Sequence, residues 1–222
     1  MSRSVAYVYA AALVALVAAT ALTIGSLLSP DWVSYTTRLP SGATVTDAIG
    51  LRYRCTTSHA SSGPGPTVAC TPFPEASRRG AVGGQDPSFG SMWRTAGSLV
   101  GLAVVAELAA IVGIGAAAAA GKARRASGRW KALSFVLAGV ALVKVGALAV
   151  VAYLFDHDDL FLAPGYRLDS AFYLCAGGVG VTMLVAAGLA ISALVLPPAD
   201  GYELLKDRSG VESSGLGGFM EA

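Results

Sequence analysis

Residues 5–28 read VAYVYAAALVALVAATALTIGSLL, a run of 24 residues without a charge. A bilayer core about 30 Å thick takes roughly 20 helical residues to cross, so this run is long enough to span it. A secretory signal has an apolar core of about 7–15 residues, and this run exceeds that, which reads as a retained signal anchor. Three further stretches of the same kind follow, at 93–120, 132–154 and 170–196. The composition agrees. With 54% apolar and 14% charged residues in 222, the chain lies far from the soluble average of about a quarter charged. A formal charge of +2, with no Lys/Arg stripe interleaved with aromatics, excludes a nucleic-acid surface. The fold expected is a membrane α-helical bundle of four transmembrane helices.

Loop charge sets the orientation, because Lys and Arg in short loops stay on the cytoplasmic side. The connection 121–131, GKARRASGRWK, carries Lys122, Arg124, Arg125, Arg129 and Lys131 and no acid; it is expected in the cytoplasm. The short loop 155–169 holds DHDDLFLAPGYRLD, with one arginine against Asp156, Asp158, Asp159 and Asp169, and is expected outside. The long segment 29–92 then also lies outside, and both termini (1–4 and a tail at 197–222 expected to be disordered) lie in the cytoplasm.

Within the outer segment, GLRYRC at 50–55 is answered by TVAC at 67–70. Both cysteines face an oxidising compartment, where disulfides persist. Closing a loop of about 15 residues removes roughly 3 kcal/mol of unfolded-state entropy. The loop interior, TTSHASSGPGPTVA, is too rich in Gly, Pro and Ser to bury a core, so a Cys55–Cys70 crosslink replaces packing; the alternative is two free thiols. His59 is the one nearby third ligand for a zinc ion and there is no Cys-x-x-Cys spacing, so no metal or other cofactor is expected. Cys175, inside the fourth span, reads as a packing residue. WVSYTTRL (32–39) alternates bulky and polar residues, PSG offers a turn, and ATVTDAIGLRYRC (43–55) continues the pattern. These are the marks of a small antiparallel sheet on the membrane surface. Taken alone, Trp32 is an interfacial belt residue.

Trp32, Gly50-Leu51, Cys55, Cys70 and Arg94, in a four-span chain, resemble the W…GLW…C…C signature of the claudin superfamily and the arginine that family commonly keeps at the outer edge of its second span. The chain departs at Arg52, where claudins carry tryptophan. Phrases such as SPDWVSY, SMWRTAG, VAYLFDHDD and SALVLPP…GYELL look like the claudin-like tetraspans of filamentous fungi. The resemblance implies a left-handed four-helix bundle topped by an extracellular sheet at the plasma membrane, with the lipid bilayer and homo- or hetero-oligomeric membrane-protein partners.

Other features carry weaker readings. Gly97-x-x-x-Gly101 and Gly188-x-x-x-Ser192 permit close helix approach, and packing inside the bundle is favoured over contact between protomers. The Gly177-Gly178-x-Gly180 run lies within a span, with no strand before it, and is no nucleotide fingerprint. Asp156, His157, Asp158 and Asp159 could attract a cation, but four sequence neighbours rarely converge on one ion, and a solvated acidic loop is favoured. Tyr202-Glu203-Leu204-Leu205 fits the YxxΦ shape read by sorting adaptors, with Tyr202 and Leu205 its defining positions. No catalytic motif occurs, so an enzyme is not expected. The function expected is a non-enzymatic tetraspan that organises membrane or cell-surface contacts laterally through its extracellular sheet. The alternative is an ion-transport protein, either a channel auxiliary subunit or a claudin-type pore former.

The remaining signal is Glu107 and Lys144, deep in the second and third spans. Each costs roughly 2.5–3.5 kcal/mol to insert alone. Glu107 lies 15 residues from Lys122, and Lys144 lies 13 residues from Lys131, or roughly 22 and 20 Å at about 1.5 Å per residue. Antiparallel neighbours joined by a short loop therefore bring the two level, predicting an ion pair that fixes helix register. A polar step in an ion or proton path is the rival role.

Overall fold

The computed structural model describes residues 3–59, 65–74, 87–119, 128–158, 160–161 and 165–195. Four α-helices, α1 (Arg3–Leu28), α2 (Pro87–Ala119), α3 (Gly128–His157) and α4 (Ser170–Val195), contain segments long and apolar enough to cross a bilayer. The chain is an integral membrane protein. The principal helix contacts run α1–α2–α3–α4 and back to α1, a closed four-helix ring.

α2 starts at Pro87, six residues before the apolar run recognised in the sequence, and α3 runs from Gly128 to His157 rather than from 132 to 154. The extensions, PSFGSM, GRWK and FDH, mix polar residues with Phe89, Met92 and Phe155 of the core, and the helical backbone continues through them without interruption. Pro87 fits the first turn of a helix, where its missing N–H leaves no bond unmade.

Between α1 and α2 lie four strands, β1 (Val33–Arg38), β2 (Thr44–Ile49), β3 (Tyr53–His59) and β4 (Thr67–Pro72). A fifth, β5 (Tyr166–Leu168), comes from the connection between α3 and α4. They form one antiparallel sheet in the order β4-β3-β2-β1-β5. The run 43–55 is thus two strands rather than one. The Gly50 N–H donates to the Tyr53 carbonyl at 2.8 Å and turns the chain back on itself. An ideal Cβ on Gly50 would lie 2.7 Å from Pro30 Cα and 2.9 Å from the Ser29 carbonyl oxygen, so only glycine lets this turn rest on the end of α1.

β5 joins through register pairs Val33↔Leu168, Ser34↔Arg167 and Tyr35↔Tyr166. Gly165 precedes it at φ +118°, and a Cβ there would meet the Tyr35 ring at 2.9 Å. Its absence lets Tyr35 stack on Tyr166 with ring centroids 4.8 Å apart. The strand leads straight into α4, because the Asp169 N–H donates to the Trp32 carbonyl and the Ala171 N–H to the Asp31 carbonyl, both at 3.0 Å.

Cys55 and Cys70 face each other across β3 and β4 and are bonded as a disulfide. Cys175 is a buried free thiol, in keeping with a packing role.

Candidate functional site

The interior divides into three layers. Under the sheet lies an aromatic cluster that includes Trp32, Phe73, Phe89, Trp93 and Phe161, with Val100, Ala147 and Cys175 at its deeper side. At the far end an aliphatic cluster contains Leu16, Ala110, Ile114, Leu137, Val185, Ala186 and Leu189. On every helix a buried polar residue falls between the two: Thr20 and Thr23 on α1, Glu107 on α2, Lys144 on α3 and Thr182 on α4.

Lys144 and Glu107 meet as predicted, with Nζ 2.6 Å from Oε1 and neither side chain exposed. The ammonium has three N–H donors, and each reaches a different helix. Besides Glu107, Lys144 Nζ donates to Thr182 Oγ1 at 2.9 Å and to Thr23 Oγ1 at 3.3 Å. The two hydroxyls are themselves held, Thr23 Oγ1 lying 2.8 Å from the Ala19 carbonyl oxygen. Thr182 Oγ1 lies 2.8 Å from the Gly178 carbonyl oxygen and 2.9 Å from Glu107 Oε1. One cation thereby ties all four helices at one level. Glu107 Oε2 is buried with no hydrogen-bond partner among the described residues.

Close approach of α1 and α4 makes this possible. A Cβ on Gly178 would lie 3.0 Å from Thr23 Oγ1 and 3.3 Å from the Ala19 carbonyl oxygen. The two glycine patterns singled out in the sequence do not act this way, which corrects the expected bundle-packing role. A Cβ on Gly101 or Gly188 meets nothing within 4 Å, and Gly97 packs against Leu51 of the sheet rather than another helix. Gly178 carried the relevant signal, one turn before Thr182 on the same helix face.

A second constellation joins sheet and bundle. Trp32 is fully buried and its Nε1 donates to the Ser26 carbonyl at 2.6 Å; it is a core residue, not an interfacial belt residue. The Trp93 Nε1 donates to the Gly50 carbonyl at 3.1 Å, fastening α2 to the β2–β3 turn. Leu51 is buried beside Gly97. Arg94 Nη2 donates to the Pro74 carbonyl at 3.3 Å, securing the chain after β4. Trp32, Gly50, Leu51 and Arg94 therefore gather where the sheet meets the helices, while the Cys55–Cys70 bond lies out on the sheet itself.

Sequence reasoning missed Thr23, Thr182, Trp93 and Phe161. Neither threonine carried a signal of its own: Thr182, 14 residues from the inner end of span 170–196, is level with the charge pair, but Thr23, 18 residues from the inner end of span 5–28, is not. On the sheet, it missed Arg54 holding the buried Asp47 carboxylate through Nε, 3.0 Å from both oxygens, with Thr56 Oγ1 adding a bond at 3.2 Å.

Two groups at this end have pKa values displaced from their ordinary ones. Burial pushes the Tyr166 phenol above its ordinary value, helped by the Asp47 charge. The Ser34 hydroxyl draws the Asp169 carboxyl below the usual carboxylate range; burial opposes it, and the Ser170 N–H and the Arg167 charge add smaller effects in the same direction as Ser34.

Asp156 and His157 are exposed on the last turn of α3, where the His157 ring stacks on Tyr153 at 4.4 Å between centroids. The Asp158 carboxylate accepts the Leu160 N–H at 2.9 Å. Among the described residues no three metal-ligating side chains converge. Asp159, the loop cations Lys122, Arg124 and Arg125, and the tail with Tyr202 and Leu205 lie outside the described residues.

Compared with known proteins, the chain matches no family model and no curated sequence.

Proposed function

We propose that the chain is a non-enzymatic plasma-membrane tetraspan of claudin-like architecture. It organises membrane or cell-surface contacts by lateral association through its extracellular sheet, with both termini cytoplasmic, an orientation that the basic charge of 121–131 supports. The observation that carries this reading is the β4 edge. Among the described residues β4 is the outermost strand, and all six of its residues are exposed. Such an edge presents unpaired backbone groups to any strand that approaches, and Val68, 62% exposed, adds an apolar contact. The meeting of Trp32, Gly50, Leu51 and Arg94 where the sheet joins the helices supports the claudin-like assignment, since these are positions of the signature the sequence resembles.

A cysteine scan with a short bis-maleimide on intact cells tests the reading. Val68→Cys on β4 should give crosslinked pairs, whereas Arg38→Cys at the end of β1 should not. Equal yield at both positions, or none at Val68, contradicts association through this edge.

Ion transport is the second reading, favoured by a charge pair buried in mid-span. Against it, the pair is closed from solvent by apolar clusters on both sides, an arrangement suited to holding helices in register.

A further inference from the structure

The exposed face of α2 records where the bilayer surface lies. Ser91, Arg94, Thr95 and Ser98 are exposed and polar. Beyond them the same face turns wholly apolar, with Leu102 and Val105 each 65% exposed and Val112 70%. The boundary between headgroups and acyl chains therefore falls between Ser98 and Leu102. Arg94, about six residues above its middle, stands roughly 9 Å out at about 1.5 Å per residue. That is close to the headgroup layer, about 5–8 Å deep on each side, and the flexible arginine stem can reach back into it.

Arg52 reaches the same level from the sheet. Its neighbour Leu51 has its carbonyl oxygen 3.6 Å from the position of a Cβ on Gly97, one turn below Arg94. The two arginines also bracket a single dipeptide, because the Phe73 N–H donates to the Arg52 carbonyl at 2.9 Å while Arg94 Nη2 holds the Pro74 carbonyl. Arg52 is exposed, and Tyr53 beside it is 52% exposed, an amphipathic ring of the type that settles at a membrane interface. Among the described residues neither guanidinium meets a carboxylate; the ion pairs there join Arg54 to Asp47, Lys144 to Glu107 and His157 to Asp156.

We propose that Arg52 and Arg94 form a binding site for the phosphate of a lipid headgroup in the leaflet next to the sheet, with the acyl chains lying along Leu102, Val105 and Val112. Planar guanidinium forks match phosphate oxygens in geometry and charge. The lipid would brace the β2–β3 turn against α2 from outside, as Leu51 and Trp93 brace it from within.

Native mass spectrometry of the detergent-extracted full chain tests this with three probes: palmitoyl-oleoyl phosphatidylglycerol, the diacylglycerol with the same chains, and inorganic phosphate. Phosphatidylglycerol should be retained, and the diacylglycerol should not. Arg52→Gln should weaken retention about tenfold, the scale of losing a charge-assisted hydrogen bond. Arg94→Lys, which keeps the charge but loses the fork, should weaken it by a smaller factor, and Arg38→Gln should leave it unchanged. Tryptophan emission and mapping of the Cys55–Cys70 bond establish that each variant is folded. Unchanged retention in folded Arg52→Gln and Arg94→Lys overturns the site. Displacement of the lipid by millimolar inorganic phosphate overturns the assignment to a lipid and makes it a site for soluble anions.

Discussion

The two ends of the bundle are built on different principles. Beneath the sheet the core is aromatic, its rings meeting edge-to-face or stacked at centroid distances of 5.5–6.1 Å among Phe73, Phe89 and Trp93. Two indole N–H groups there are aimed at named carbonyls. At the far end the core is leucine, isoleucine, valine and alanine, shapes that pack adequately in more than one rotation or register of the helices. Lipid chains are as apolar as these side chains, so the far end gains no hydrophobic drive to choose among those arrangements. The polar layer between the ends supplies the choice, because Lys144 finds its three acceptors in one arrangement only. Directional bonds specify the sheet end through indoles and the bundle through one ammonium group.

The largest effect expected from breaking this division is at the polar layer. Lys144→Met leaves the Glu107 carboxylate buried without its cation and should cost about 3 kcal/mol or more. Unfolding in nanodiscs, followed by tryptophan emission, measures it. Trp32 and Trp93 belong to the sheet end and Trp130 to the first turn of α3 at the far end, so a two-step transition would show the sheet end surviving after the far end has loosened.

Gly50→Ala attacks the other region. The new Cβ would meet backbone of Ser29 and Pro30, which cannot move aside cheaply, and a cost of about 2 kcal/mol is expected. The same unfolding experiment should show a lower midpoint, with the tryptophan signal disturbed already in the native baseline.

A smaller effect separates glycines that pack from glycines that do not. Gly178→Ala pushes Thr23 away from Lys144 and should cost about 1 kcal/mol. Gly101→Ala, whose Cβ enters open space, should cost nothing and should gain slightly from helix propensity.

The smallest effect concerns pH. Because the folded state lowers the Asp169 pKa, its contribution is fully present above the ordinary carboxylate value and is lost as pH falls through the depressed one. Asp169→Asn should flatten that part of the acid limb of stability, and Asp169 protonation followed by NMR titration checks the shift directly.

Much of this was legible in the sequence because membranes impose strong rules. The four spans, the strand alternation of β1 and the pairing of two outer cysteines each follow from one physical requirement. The Glu107–Lys144 pair could be placed by counting residues from a shared loop, since a helix converts count into depth. Other features lacked such a rule. The break at Gly50-Leu51-Arg52 was hidden because strand alternation continues across it, and the need for glycine comes from Pro30, twenty positions away. β5 is three residues long, too short for any periodicity, and exists because Val33–Tyr35 offers it an edge. Thr23 and Thr182 are weakly polar residues in apolar runs, and their role appears only when four helices are assembled around Lys144.

That the buried pair serves as a structural lock is tested by a double-mutant cycle on Glu107 and Lys144. Stability and ion flux should be measured on Glu107→Gln, Lys144→Met and the double variant, reconstituted in liposomes. Each single variant should be destabilised, the double variant should recover much of the loss with a coupling of about 2 kcal/mol or more, and flux should not depend on the pair. A double variant that is folded and stable but has lost an ion flux present in the native protein would contradict the lock, as would single variants as stable as the native chain.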